Sequence, residues 1–347
     1  MAARIEVDLT AFRSNVRLLA ETVAPARTMV AVKGNAYGHG LLPISFAALE
    51  SGADSLAVLE IPAAFELRKA GVGVPLLAWL HGINSDFAGA VDSAVDIGIS
   101  AVWQLDAITS AHRRTRGKVH LKVDTGLNRN GAHPDDWPEL VEAALHAERA
   151  GAVEIVAIWS HLADASAQDD SDALTRFEVA VKIAADLGCT PGLLHLAASS
   201  AGLRMPRARL GLVRFGIAAY GISPFDDVSA RELGLRQVMS MRAPVVHVNR
   251  QLARVGVGSA DGIQIPAIGE AMVAVKGNRY RIANLDVDSL DIIVGVGEVS
   301  VGDEVTIFGP GDDGEPTAED WAHWGGTIGD EIVARASERL PRVFLET

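Results

Sequence analysis

The sequence predicts an α/β protein: an N-terminal (β/α)8, TIM-like barrel followed by a mainly β C-terminal domain. Three observations lead there. Eight short apolar, β-prone runs alternate with helical patterns between residues 29 and 215. The texture then changes near residue 223, where Ser223-Pro-Phe-Asp-Asp-Val reads as a linker and β-prone runs take over. Finally, polar residues recur just where the first set of runs ends, the rim at which barrel enzymes place their chemistry. The division falls at residues 1–225 and 226–347, with residues 1–8 available to pair with the β domain.

The first helix spans Asp8 to Val23. Leu9, Phe12, Val16 and Leu19 share one face, and Asp8 caps the start. The barrel-strand candidates are Met29–Val32, Ser55–Leu59, Pro75–Leu80, Ser100–Trp103, Val119–Val123, Ile155–Trp159, Leu193–Leu196 and Leu212–Phe215. Helices fill the gaps. Leu41–Leu49 is apolar and helix-like, Pro62 opens and Gly71 closes Ala63–Ala70, and Pro138 opens and Gly151 closes Glu139–Ala150. Asp172–Leu187 is a long amphipathic run ending at Gly188, whereas 84–99 is polar and only loosely periodic. In the second domain the β-prone runs are Ala243–Val248, Ala271–Val275, Asp291–Val294 and Glu304–Phe308, with one short helix after Thr317, whose Thr-x-x-Asp pattern can cap it.

Composition narrows the function. About half of the 347 residues are apolar, enough for a large core, yet no run reaches membrane-spanning length. The N-terminus lacks the long apolar centre of a signal peptide, so a soluble cytoplasmic protein is expected. A net charge of −13 argues against nucleic acid, which favours a basic face. The single cysteine, Cys189, excludes an internal disulfide and a cysteine-cluster metal site, and no metal is expected.

The polar residues at the strand ends are Lys33 after the first strand, Lys122 and Asp124 at the fifth, His161 after the sixth, Ser199 after the seventh and Arg214 in the eighth. A lysine ending a buried strand is costly without a partner, and desolvation lowers its pKa until it can act as a Schiff-base amine. The plainer alternative is a lysine that snorkels out of a strand end. Barrel loops after strands seven and eight commonly hold phosphate, and Ser199-Ser200-Ala-Gly202 and Gly216-Ile217 occupy them. A phosphate-bearing cofactor joined to a lysine follows. Taken singly, His161 is equally a hydrogen-bonded core histidine, Arg214 can pair with an acid across the barrel, Lys122 and Asp124 can form a structural ion pair, and Ser199 and Gly216 can be ordinary turn residues.

Val32-Lys-Gly-Asn-Ala-Tyr-Gly-His-Gly40 closely resembles the pyridoxal-phosphate lysine motif of bacterial alanine racemases, with Gly34 where that family usually has Ala. The resemblance extends to His-Leu-Ala-Ala-Ser199, to Val213-Arg-Phe-Gly-Ile217 and to Leu121-Lys-Val-Asp-Thr-Gly-Leu-Asn-Arg129, and covers nearly the whole chain. It implies pyridoxal 5'-phosphate held as a Schiff base by Lys33, with its phosphate contacted by Tyr37, Ser199, Gly216 and Ile217. It further implies His161 packed on the ring and Arg214 facing the ring nitrogen. Arg129 would lie near the substrate, and Lys122 would be the lysine that is carbamylated in the family. An arginine there leaves that nitrogen unprotonated and the ring a weaker electron sink, which suits racemisation. The resemblance also implies a small amino-acid substrate, most readily alanine, and a homodimer in which the β domain of one copy completes the site of the other.

The β domain departs from the pattern. The family's second base is a tyrosine in Gly-Tyr-Ala-Asp-Gly; here the segment is Gly258-Ser-Ala-Asp-Gly262, and Ser259 stands at the tyrosine position. A serine hydroxyl is shorter and much less acidic than a phenol. Losing a positioned base typically removes roughly 10²–10⁴ in rate. The usual Cys-Met-Asp is Asn284-Leu285-Asp286, which places Leu285 on the substrate side, and Glu338 replaces a phosphate-binding tyrosine. A loop that usually precedes this region is missing, because Val246-His-Val-Asn runs almost directly into Arg254-Val-Gly256. Three readings follow: an L/D-alanine racemase impaired at its second base, a catalytically weak or inactive cofactor-binding paralogue with a regulatory role, and a decarboxylase or metal-assisted dehydratase. The last ranks lowest, since the β domain has no cysteine and only His323 near the C-terminus as a ligand.

Overall fold

Strand β1 (Arg4–Asp8) belongs to the β-rich part of the chain, and the eight strands that follow it form a sheet of their own. The computed structural model describes residues 2–111 and 115–346. They fall into two units, Leu19–Lys33 with Gly52–Gly216, and Met1–Leu18 with Gly34–Ser51 and Ile217–Thr347.

The first unit is the barrel. Its strands are β2 (Arg27–Ala31), β3 (Ser55–Val58), β4 (Leu76–Ala78), β5 (Asp96–Ile99), β6 (Gly117–Lys122), β7 (Val153–Trp159), β8 (Leu193–His195) and β9 (Leu212–Phe215). Each pairs in parallel with the next from β2 to β8, and β2 also pairs in parallel with β9. The ring closes where the Gly211 N–H donates to the Leu194 carbonyl and the Arg214 N–H to the Ala197 carbonyl, both at 3.1 Å. Met29, Ala57, Leu77 and Leu212 fill the interior, with Trp79 and Leu193 packed on them. Parallel strands buried on both faces require such continuous apolar runs.

One strand lies elsewhere than the sequence suggests. The fourth barrel strand is β5 (Asp96–Ile99), and the residues 100–103 expected to form it lead into the helix Val102–Ala111. Asp96 and Gly98 disguise β5, because a buried aspartate and a glycine break the apolar run that marks the other strands. Gly98 leaves little room for a side chain: an added Cβ would sit 3.1 Å from Trp79 and 3.2 Å from Trp159. The polar stretch before it forms a short helix, Phe87–Asp92, capped by Asp86. The last long helix, Ala167–Asp186, starts before the periodic run because the Ser166 hydroxyl accepts the Asp169 N–H at 3.1 Å. The first helix is Leu9–Val23, and Asp8 does cap it, accepting the Ala11 N–H at 2.8 Å.

The β-rich unit is one sheet in the order β11-β14-β13-β12-β15-β10-β1-β16, with β10 also pairing β11. Its remaining strands are β10 (Met239–Asn249), β11 (Leu252–Val255), β12 (Met272–Val275), β13 (Asn278–Leu285), β14 (Leu290–Ile293), β15 (Glu304–Phe308) and β16 (Arg342–Leu345). β1 lies antiparallel to β10 and parallel to β16. β10 turns into β11 through Arg250 and Gln251 alone, with Arg250 in the left-handed region at φ 52°. β11, β13 and β16 escape the sequence reading. β13 buries only Ile282 among its eight residues, so it lacks the alternation that marks a half-buried strand. The helix Ala318–Gly325 has the expected reciprocal cap between Thr317 and Asp320. Among the described residues no helix is long and apolar enough to cross a membrane.

Candidate active site

The barrel places its polar strand-end residues on one rim. Lys33 follows β2 by two residues and is half-buried. His161 follows β7 by two residues, and Arg214 lies within β9. Ser199 opens the short helix Ser199–Arg204, and its hydroxyl accepts the Gly216 N–H at 3.2 Å, which joins the loops after β8 and β9. That helix sits directly on β9, because an added Cβ on Gly202 would come within 2.7 Å of Val213.

Arg214 is buried and organises the rim from below. Its Nη2 donates to the Ser160 carbonyl at 2.8 Å, the Leu196 carbonyl at 2.9 Å and His161 Nδ1 at 3.1 Å. Its Nη1 donates to His195 Nδ1 at 2.9 Å. Its Nε–H makes no hydrogen bond among the described residues and stays available. Among the described residues Arg214 pairs with histidines and carbonyls and with no acid, so the ion pair across the barrel is not what the fold builds. His161 is therefore an acceptor at Nδ1, since a guanidinium only donates. Burial, and then the charges of Arg214, Arg129, Lys122 and Lys33, hold its pKa well below the ordinary value.

Lys122 is 3% exposed and lies inside the barrel with its Nζ donating to Asn130 Oδ1 at 2.5 Å and resting 4.6 Å from the centre of the Trp159 ring. Arg214 stands 5.1 Å from the same ring. Burial pulls the Lys122 pKa down to about 7, helped by Arg214 and Arg129 and opposed by Asp124. Lys122 and Asp124 do not form the ion pair that their spacing allows. The Asp124 carboxylate instead accepts the Gly126 and Asn128 N–H groups and shapes the turn that leads to exposed Arg129.

Beyond Lys33 the chain enters the other unit through a left-handed turn. Gly34, Asn35, Ala36 and Tyr37 all have φ between 51° and 60°. Three non-glycine residues in that region cost roughly 1–2 kcal/mol each. The compensation is local. The Gly38 N–H donates to the Gly34 carbonyl at 2.9 Å, the Leu41 N–H to Asn35 Oδ1 at 2.7 Å, and His39 Nδ1 to the carbonyls of Ala36 and Tyr37 at 3.0 Å. The buried Tyr37 ring packs on Tyr220 at 4.8 Å, and Ile217 opens the 3-10 turn that ends at Tyr220.

Ser259, Leu285 and Glu338 also belong to the β-rich unit, where they lie on linked segments. Ser259 is half-buried, and its N–H donates to the Asp286 carbonyl at 3.0 Å, one residue beyond Leu285. Asp261 ties this turn to the C-terminal segment. Its carboxylate accepts from the Gly258 N–H at 2.8 Å and from Arg339 at 2.7 and 3.0 Å, and its carbonyl from the Ser337 N–H at 3.1 Å. Glu338 sits exposed between Ser337 and Arg339.

Sequence reasoning gives no role to Asn130, Trp159 or His195. His195 ends a strand, and Trp159 alternates with the interior of its own strand, so strand periodicity alone could have put both in the barrel.

An eight-stranded barrel with lysine, histidine and arginine on its C-terminal rim, joined to a β-rich unit, defines a barrel enzyme with an accessory β domain. The N-terminal domain of alanine racemase matches residues 7–224 and its C-terminal domain residues 238–344. An alanine racemase of Frankia casuarinae is 41% identical, covering 98% of this chain and 95% of its own, and one of Thermobifida fusca is 39% identical, covering 99% and 98%. The alanine racemase from D-cycloserine-producing Streptomyces lavendulae superimposes with a TM-score of 0.97 at 36% identity, covering 100% of this chain and 98% of that one. An alanine racemase of Bacillus anthracis with bound L-Ala-P gives 0.90 at 27% identity, with 99% and 95% covered. The chain belongs to the alanine racemase family. It is an alanine racemase-like isomerase.

Proposed function

We propose that the chain interconverts L- and D-alanine with pyridoxal 5'-phosphate carried on Lys33. The observation that carries this is the rim itself: Lys33 just past β2, His161 just past β7 and held at Nδ1 by the buried Arg214 of β9, and Ser199 accepting the Gly216 N–H across the loops after β8 and β9. Such a rim suits a ligand that brings both a phosphate and a carboxylate. When bound, the cofactor supplies an electron-withdrawing ring that lowers the barrier to removing the substrate α-proton.

The chain's residues divide the remaining work. Lys33 holds the cofactor and moves a proton at Nζ on one face of the substrate. Arg214 would donate its Nε–H to the ring nitrogen and, having no proton to give up, would leave that nitrogen unprotonated and limit competing reactions. His161, fixed by Arg214, packs on the ring. Ser199, Gly216, Ile217 and Tyr37 hold the phosphate. Arg129 orients the substrate carboxylate. Lys122, whose pKa burial brings down to about 7, has a substantial uncharged fraction near neutral pH and is the amine that carbon dioxide would carbamylate; the carbamate would offset the charges of Arg214 and Arg129.

The β-rich domain, residues 226–347, of a second copy completes the site of residues 1–225 in a cytoplasmic homodimer, bringing Ser259 and Leu285. Ser259 stands where a second base belongs and relays its proton through water, so turnover is slow. Glu338 is exposed, and its carboxylate would repel the phosphate unless it turns away. The loop that the family usually has before the Ser259 segment is reduced here to the two-residue β10–β11 turn.

The test is α-proton exchange in deuterium oxide together with loss of circular dichroism for L- and D-alanine, using protein loaded with the cofactor. Exchange and racemisation of both enantiomers are expected. A cofactor absorbance band with no exchange on either enantiomer would instead show a cofactor-binding paralogue without turnover.

A further inference from the structure

Arg214 is one end of a longer buried chain of side chains. His195, which accepts from its Nη1, has its Nε2 3.0 Å from His120 Nδ1. His120 Nε2 in turn lies 3.4 Å from Asp96 Oδ2. All four side chains are buried, His195 completely. Asp96 opens β5, His120 lies within β6, His195 ends β8 and Arg214 lies in β9. The chain therefore crosses the barrel interior and ends at the rim.

Its hydrogen-bond direction is fixed by its two ends. A guanidinium only donates, so His195 Nδ1 must carry a lone pair. A neutral imidazole has one N–H, which places the proton on His195 Nε2 and makes His120 Nδ1 the acceptor. The same step repeats, and His120 Nε2–H donates to the Asp96 carboxylate. Burial, with Arg214, His120 and Lys122 as neighbours, keeps His195 neutral. Trp159 holds the middle, with its ring stacked 5.3 Å from His195 at 17° and its Nε1 donating to the His120 carbonyl at 3.2 Å.

We propose that Asp96, acting through His120 and His195, is a positioning residue that sets the tautomer of both histidines and thereby holds the Arg214 guanidinium in place. Without the Asp96 acceptor, the His120 N–H would be buried and unpaired, an expensive state. Moving that proton to Nδ1 sets it against the His195 Nε2–H. Moving the His195 proton to its own Nδ1 then sets it against the Arg214 donors. The disturbance has no resting place short of the guanidinium. The consequence for catalysis rests on the reading that Arg214 serves the cofactor ring; the tautomer order does not.

The experiment reads histidine side-chain ¹⁵N–¹H correlations in the labelled full-length protein, with and without pyridoxal 5'-phosphate, and kcat and KM for alanine. In the wild type both His120 and His195 should be neutral with the proton on Nε2. Asp96→Asn retains an oxygen acceptor and should keep both tautomers, with kcat within twofold. Asp96→Ala should shift His195 toward the Nδ1–H form and lower kcat about tenfold, with KM within twofold. A wild-type spectrum with either histidine charged or carrying its proton on Nδ1 overturns the proposal, even if Asp96→Ala fails to fold. Unchanged His195 tautomers in Asp96→Ala, or changed tautomers with unchanged kcat, also overturn it. A wild-type protein with the expected tautomers but no cofactor absorbance would refute the functional reading and leave the tautomer order standing.

Discussion

Lys122→Met tests the electrostatics of the barrel interior. The folded protein holds the Lys122 ammonium at a pKa of about 7 against an ordinary 10.5, chiefly by burial. Between these values the unfolded chain binds a proton that the folded chain does not. Stability must therefore rise with pH through that window, by up to about 1.4 kcal/mol per pH unit. Because the folded group is half-protonated at its own pKa, the gain from pH 7 to pH 9 is roughly 2 kcal/mol, and the penalty at pH 7 is roughly 4 kcal/mol. Methionine matches the stem and removes the charge. Groups present in both proteins cancel in the difference, among them Cys189, whose thiol burial pushes up to about 11. Urea unfolding at pH 7, 8 and 9 should show the wild type gaining on Lys122→Met as pH rises. Added bicarbonate should stabilise the wild type alone if the amine is carbamylated. Parallel pH profiles for the two proteins would refute the claim that burial lowers the pKa of this lysine.

Four further outcomes are expected. Ser259→Tyr should raise kcat for alanine by about 10²-fold or more, the range a positioned base supplies; unchanged turnover in a folded, cofactor-loaded variant would show that the second base is not what limits the rate. Lys33→Ala should abolish the cofactor absorbance band while leaving the far-ultraviolet spectrum intact, and retention of the band would move the attachment point elsewhere. Gly38→Ala should destabilise by about 2 kcal/mol or more, because φ is +81° and an added Cβ would meet the Val333 carbonyl oxygen at 2.7 Å; a loss under half of that, measured by denaturant midpoint, would contradict the geometry. His39 and His81 are each held by burial at a pKa of about 4. As the unfolded chain takes up their protons below 6.5, each should cost up to roughly 3 kcal/mol of stability between pH 6.5 and 4, and His81→Leu should flatten that acid decline.

What the sequence revealed follows the physics of each signal. Strands that are largely buried announce themselves as apolar runs, which is why β2, β3, β4, β6, β7 and β9, and the partly buried β8, were legible within a few residues. β5 was not, because its Asp96 is paid for by a histidine 24 positions away that no local pattern displays. β13 exposes most of its residues, and an exposed strand leaves no periodic trace. The rim residues were readable because lysine, histidine and arginine are conspicuous at strand ends. The layer beneath them was not: His120 and His195 are 75 residues apart in sequence and meet only once the barrel closes.

The backward-wound turn after Lys33 also bears on how this protein can change over time. At Gly34, Asn35, Ala36 and Tyr37, a side chain branched at its β-carbon would be driven against its own backbone. A mutational library at these positions should therefore lose valine, isoleucine and threonine first, whatever reaction is selected. The stretch is an evolutionary bottleneck set by handedness, and new activities in this scaffold have to be found on the loops around it.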